Sequence, residues 1–394
     1  MQAPVCSAKH RGVGTIAAGL AALACGHLAV DCCTGIWPVY KTIAHLDLAT
    51  AGLIATAGSM IANGLQVVFG IIADRGFAKR LLVGGAVLAG FVTLVPLTHS
   101  YPLLFALVLI TSVGSAAFHP VGTGAAGALS RERTGIMVSL FLIGGYVGYA
   151  FSQLVFTALY RAAGGATVVL WALPLLAALA IVRFVEPAPP RPVASAAVLT
   201  RSRRAAAPRL AVLFAVQVFT TAISTSLIFL LPDLLESRHA PSWAVEGGGH
   251  FAMVMGSAAA LIPAGLAADR FGARRVLLVL NLVTGVLLWL ALYVGDTVTV
   301  LLPLVAAFGA FNSANNVVVV SEGNRMMPGQ NSGVSALLMG APWVFAAAAP
   351  AIAGVLADPA HGGTPSAALG WLAFCIPLAL TASLLLPRRR ESVD

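Results

Sequence analysis

"GIIADRGFAKRLL", residues 70–82, and "GLAADRFGARRVL", residues 265–277, are one device written twice. Gly70 and Gly265, Asp74 and Asp269, Arg75 and Arg270, and Arg80 and Arg275 all stand 195 positions apart. A shorter echo, "SLFLIG" at 139–144 against "SALLMG" at 335–340, keeps an offset of 196. Agreement at a near-constant offset of half the chain reads as duplication of one unit. Each copy of the device sits between two long apolar runs, so the repeated unit is a bundle of membrane spans.

The rest of the chain fits that reading. Of its 394 residues 59% are hydrophobic and 9% charged, with a mean hydropathy of +0.92, whereas soluble domains carry about 25% charged residues. A bilayer crossing takes roughly 20 apolar residues. Runs punctuated by Gly, Pro and charge predict twelve spans at 13–38, 48–73, 81–98, 102–129, 135–160, 165–185, 209–232, 247–268, 276–294, 297–321, 332–357 and 366–386. The expected fold is an all-α membrane protein of two six-helix bundles, 1–185 and 209–394, joined by a Pro-, Ala- and Arg-rich linker at 186–208.

The formal net charge of +9 is distributed, not clustered. With the N-terminus placed in the cytoplasm, 20 of the 23 Lys and Arg fall on the cytoplasmic side, and Lys41, Arg161 and Arg238 on the other. Cytoplasmic loops collect basic residues, so both termini are expected inside, and the basic pI needs no nucleic-acid partner. "ALAC" at 22–25 resembles an export-signal cleavage box, but the apolar run continues past it, and it is read as the first span. The five cysteines lack metal-ligand spacing, and no phosphate-cradling G-x-x-x-x-G-K-[ST] occurs. No metal or cofactor is expected, no enzyme activity either, and any driving energy comes from an ion gradient.

The paired G-x-x-x-D-R-x-x-x-[RK]-R loops, twelve spans and basic central linker resemble the major facilitator superfamily over essentially the whole length. Within it, "HLAVD" at 27–31, "FHP" at 118–120 and "SLFLIGGYVG" at 139–148 resemble the fosmidomycin-resistance-type efflux branch. The resemblance implies alternating access between rocking halves, with Gly70, Asp74, Arg75, Arg80, Gly265, Asp269, Arg270 and Arg275 as a cytoplasmic gate. The alternative for these charges is orientation alone. The chain departs from the family pattern in three places. Phe77 stands where the loop signature has Gly, with Gly76 one place early; Ser152 and Gln153 replace the Gly-Pro pair common in antiporters; and no Arg lies between Leu103 and Leu129.

His27 and Asp31 are the residues whose chemistry is hardest to explain as packing. An ionisable residue within a span costs about 2.5–3.5 kcal/mol on insertion scales, and the i,i+4 spacing puts both on one helical face, where they can pair and share a proton. Two readings fit: a proton or substrate site, or a structural pair pinning the first span. His119, before Pro120, is either cavity-facing or a packing histidine. Asn312, Asn315 and Asn316 fall opposite His119 by the repeat offset and are the candidates for substrate contact. Interhelical hydrogen bonding is the alternative for them, as for Asn63, Gln66, Gln153 and Gln217. Glu322 serves gating or solvation. Gly144, Gly145 and Gly148, with Gly340 as repeat counterpart, are expected to allow close helix approach.

The expected function is therefore a proton-coupled secondary transporter exporting a small compound by antiport. The alternatives are a proton symporter importing a small polar metabolite and, from another class, a receptor or assembly factor on a transporter fold. Expected partners are a small-molecule substrate, protons and membrane lipid, with the protein a monomer. The Ala- and Arg-rich usage points to the inner membrane of a high-GC bacterium.

Overall fold

The structure, a computed structural model, describes residues 13–130, 133–186, 200–295, 297–326, 334 and 336–387. The two termini, most of the expected linker and the basic residues Lys9, Arg11, Arg131, Arg191 and 388–390 lie outside the described residues. The first part of the chain forms α1 (Val13–Thr34), α2 (Trp37–Ile43), α3 (Leu48–Ile72), α4 (Ala78–Ala89), α5 (Tyr101–Gly127), α6 (Thr134–Ala163) and α7 (Ala172–Phe184). The second forms α8 (Thr200–Ser237), α9 (Gly249–Phe271), α10 (Ala273–Tyr293), α11 (Val298–Met326), α12 (Ala341–Ala346), α13 (Ala349–Ala357), α14 (Pro365–Leu372) and α15 (Cys375–Leu384). Among the described residues there is no strand. Helix α8 begins at Thr200, inside the stretch expected to be linker.

Eleven helical segments are long and apolar enough to cross a membrane, against the twelve expected. The difference lies in Leu48–Leu97, a single run of 50 residues in which α3 passes into α4 through a π-type turn at Ala73–Phe77. At 1.5 Å per residue this run is far longer than a hydrocarbon core of about 30 Å, and it kinks at Gly76, whose φ is 96°. In the second copy of the device Gly272, with φ 84°, separates α9 from α10. Only glycine adopts such angles without a Cβ penalty. Gly76, two residues after its Asp, thus takes the backbone role that Gly272 takes three residues after its own.

The same packing pattern recurs in both parts. Helix α1 lies on α6 and α7, α3 and α4 lie on α5, and correspondingly α8 lies on α12 and α15, and α9 and α10 on α11. Helix α6 approaches α1 closely enough that a Cβ on Gly144 or Gly148 would run into the Ala24 or Leu28 carbonyl. Gly340 differs from expectation: nothing lies within 4 Å of the position its Cβ would take. It ends the π-type turn at Ala336–Gly340, where Leu337 and Met339 are exposed.

Three large apolar clusters place the core. One is built only from residues of the first part, around Leu23, Leu82, Phe118 and Phe141, and one only from the second, around Leu213, Leu277 and Val318. The largest draws on both, joining Ile36, Trp37 and Tyr40 to Leu227, Leu231, Leu235 and Val305. The parts are therefore welded at the end carrying α2. There the Trp37 indole donates to the Ala51 carbonyl at 3.1 Å and the Tyr40 hydroxyl to the Val95 carbonyl at 3.0 Å, fixing α2 to the rest of the first part. Lys41 is fully buried and ion-paired with Asp233 of α8. The Thr42 hydroxyl donates to the second Asp233 oxygen at 2.9 Å and accepts from Lys41 at 3.0 Å, and the ammonium sits 4.6 Å from the Phe229 ring centre. Arg161 on α6 pairs with Glu246 at 2.6 Å, and His250 donates from Nε2 to the Tyr149 carbonyl at 2.8 Å.

Removing one member of a buried ion pair strands the other charge, at a cost of about 3–5 kcal/mol, whereas replacing both by apolar residues of similar size is close to neutral. Thermal unfolding in detergent should show Asp233→Leu strongly destabilised and the double variant Lys41→Met, Asp233→Leu restored to near wild type. Equal loss in both would show that the pair does not bridge the seam.

Candidate functional site

Among the described residues, the membrane interior of the first part contains one cluster of His and carboxylate side chains, made by α1 and α5 under the cover of α6. His27 and Asp31 face one way on α1, as their spacing requires. Helix α5 runs unbroken through Pro120 and delivers His119 to the same point. Asp31 stands between the two rings: its Oδ2 is 3.2 Å from His27 Nε2 and its Oδ1 is 2.9 Å from His119 Nε2. The rings meet edge to face at 4.9 Å, and Phe141 stacks on His27 at 4.2 Å. Gly145 of α6 makes room for the group, since a Cβ there would press on the His27 ring and lie 2.7 Å from Asp31 Oδ2.

The opposite nitrogen of each ring is already committed. His27 Nδ1 is 2.9 Å from the Phe141 carbonyl, and His119 Nδ1 is 2.8 Å from the Ser115 carbonyl and 3.0 Å from the Ser115 hydroxyl, which accepts when the carbonyl does. A carbonyl oxygen only accepts, so both Nδ1 atoms carry their hydrogens, and in a neutral ring Nε2 is then a bare lone pair. Both bare lone pairs would face carboxylate oxygens. Each of these contacts needs a proton in it, supplied by an imidazolium or by a carboxylic acid. Three side chains are thus arranged to hold two protons. The cluster is only partly closed: the His27 side chain is 5% exposed, Asp31 16% and His119 28%.

The other expected site residues are placed elsewhere. Asn312 donates to the Thr220 carbonyl at 3.0 Å and so ties α11 to α8, and Asn281 donates to Asn315 at 3.0 Å and ties α10 to α11. Asn316 is half-buried beside them on α11. No hydrogen bond joins this group to His119 among the described residues. Asn63 bonds to Ser59, one turn earlier on α3, and Gln66 to Asn63. Gln153 is fully buried on α6, and Gln217 on α8 donates to Thr221.

The repeated loops lie at the end opposite α2. Asp74 and Arg75 are exposed, Arg80 lies over Phe77 at 5.3 Å, and Arg270 lies over Phe271 at 5.2 Å. Asp269 is paired with Arg325 of α11, which also reaches Glu322 at 3.5 Å, and Arg275 lines a cleft of about 820 Å³ with them. Gly70 has open space around it, and Gly265 meets only Val317 at an ordinary 3.6 Å.

The sequence reading missed the Lys41–Asp233 bridge, counting Lys41 only for charge and Asp233 not at all. The signal was present. "WPVYK" at 37–41 and "LPDLL" at 231–235 put a charge just after a proline at the end of the first span of each part, at nearly the repeat offset.

Comparison with known proteins agrees with this architecture. No curated protein matches the sequence. A solved bacterial homologue of the human lysosomal transporter Spinster, in an inward-facing and unoccupied conformation, superimposes with a TM-score of 0.77 at 14% identity, covering 95% of this chain and 98% of that one. A mutant of the nucleoside transporter NupG superimposes with a TM-score of 0.75, also at 14% identity, over 94% of this chain and 98% of that one. The profile of the Major Facilitator Superfamily matches residues 19–259. With that match over more than half its length, the chain belongs to the Major Facilitator Superfamily, a family of multi-pass membrane transporters and not of enzymes.

Proposed function

We propose that the protein is a proton-coupled antiporter that exports a small compound, with His27, Asp31 and His119 as its proton site. The observation that carries this reading is the pair of Nε2-to-carboxylate contacts, each of which is attractive only with a proton in place. The proton between Asp31 and His119 holds α1 against α5, and the one between Asp31 and His27 lies within α1. When they leave, two acceptors face each other twice and the contact turns repulsive. Proton occupancy therefore bears differently on two arrangements of the helices, which is what coupling requires. A gradient can then drive a substrate whose binding favours the deprotonated arrangement.

The sidedness follows from the basic residues. With the Asp74 and Asp269 loops in the cytoplasm, Leu48–Leu97 counts as two crossings, which makes twelve spans and puts both termini inside. The end welded by Lys41–Asp233 and Arg161–Glu246 is then the outer one, and the interior opens inward. The Asp74 and Asp269 loops form the inner gate of the rocking halves 1–185 and 209–394, with Asp269 held here by Arg325 of its own half and exchanging that partner in the other state. Export draws on the resemblance of "HLAVD", "FHP" and "SLFLIGGYVG" to the fosmidomycin-resistance-type branch, and the high-GC composition fits a bacterial inner membrane.

In proteoliposomes screened with a small library that includes phosphonate antibiotics, a transported compound should drive proton movement opposite to its own. Asp31→Asn should abolish that coupling while the protein still folds. Proton and compound moving in the same direction would make the protein a symporter, and normal coupling in Asp31→Asn would remove the proposed site. The outer weld gives a second expectation. Asp233→Asn, which leaves Lys41 unneutralised in the seam, should raise labelling of a cysteine at Val39, buried in the wild type, by a maleimide added from outside in an otherwise cysteine-free chain. Unchanged labelling would show that the seam does not open there.

A further inference from the structure

The proton site has the donor set and the supports of a metal site. His27 Nε2, an Asp31 carboxylate oxygen and His119 Nε2 all lie within 4.8 Å of one another. A tetrahedral Zn²⁺ with bonds of about 2.0–2.1 Å sets its ligand atoms about 3.3 Å apart. His119 Nε2 is 2.9 Å from Asp31 Oδ1 and His27 Nε2 is 3.2 Å from Asp31 Oδ2, so each ring already sits at about that spacing from one of the two carboxylate oxygens. Closing on an ion therefore requires only small movement of the two rings.

The orientation of the rings is the independent observation. A metal-ligating histidine donates its other N–H to a backbone carbonyl or carboxylate, which fixes the tautomer and aims the lone pair. Both histidines do this, through Phe141 and Ser115. Two bare imidazole nitrogens and one carboxylate suit Zn²⁺, Co²⁺ or Ni²⁺, whereas Mg²⁺ and Ca²⁺ take oxygen ligands. No lysine or arginine pairs with any of the three among the described residues. The partial exposure of His119 and Asp31 leaves a side open for water or another ligand in the fourth position.

We propose that His27, Asp31 and His119 bind one divalent transition-metal ion, which takes the place of the two bridging protons and pins α1 to α5. The inference shares its residues with the proton-site reading and deepens it, since a bound ion would block proton exchange. The sequence reading expected no metal. Cysteine spacing was its guide, and His119 is 88 positions from Asp31.

The test is equilibrium binding of Zn²⁺ to the tag-free full chain in detergent, by competition with a chromophoric chelator. One equivalent should bind, at least 10-fold more weakly in Asp31→Asn and His119→Gln and unchanged in the surface variant His99→Gln. X-ray absorption at the zinc edge of the wild-type protein, which needs no variant to fold, should show two imidazoles and oxygen at about 2.0–2.1 Å. Absence of stoichiometric binding, binding indifferent to His119→Gln, or sulfur scattering from Cys32 or Cys33 would overturn the proposal. Zinc binding without proton coupling would sink the transport mechanism alone, and proton coupling without zinc binding would sink the metal site alone.

Discussion

A lone pair pointed at a carboxylate oxygen repels it unless a proton or a cation lies between them, and the interior of this protein holds two such contacts around Asp31. Everything else in the first part of the chain arranges for them. Backbone carbonyls of Phe141 and Ser115 occupy the far side of each ring, so the tautomer is set by the fold. Gly145 leaves the space the group occupies, and Gly144 and Gly148 let α6 cover α1 at backbone distance. An imidazole and a carboxylate are costly to place in lipid, but here they face the bundle interior and each other.

The constraint reaches the whole molecule through helices α1 and α5. Helix α1 gives way, across the break at Gly35, to α2, and α2 carries Lys41 into the seam with Asp233. One continuous stretch of chain therefore bears both the proposed proton site and the weld between the two parts. Toward the other end each part has an apolar cluster of its own among the described residues, and Asp269 and Arg325 pair within one part. In the proposed mechanism, a structure whose shared apolar cluster lies at the α2 end is one of the two rocking states. Buried ion pairs contribute little net stability.

Much of this was legible in the sequence because it is written in local pattern. The apolar runs gave the spans, the 195-residue offset gave the duplication, and the i,i+4 spacing put His27 and Asp31 together. What was not legible depends on contacts between distant segments. His119 joins Asp31 across 88 positions and Lys41 joins Asp233 across 192, and a helix's rotation about its axis decides whether such residues meet. The same limit applies to Asn312 and Asn315, whose spacing fits a cavity as well as a seam and which bond to neighbouring helices. Gly340 shows that a repeat in sequence need not repeat a contact, because its helix is locally rewound. Gly76 shows the converse. One place out of register with the second copy, it supplies the same left-handed turn.

The central claim is that both ring nitrogens facing Asp31 are set, by carbonyls behind them, to receive protons. Solid-state nitrogen-15 NMR of histidine-labelled protein in liposomes, with His27 and His119 identified by single substitution, measures this directly across a pH titration. The account predicts that both residues keep Nδ1 protonated throughout, and that Nε2 is protonated in the loaded form and bare when protons leave. A neutral ring with the hydrogen on Nε2 and a bare Nδ1, at either residue, would contradict it.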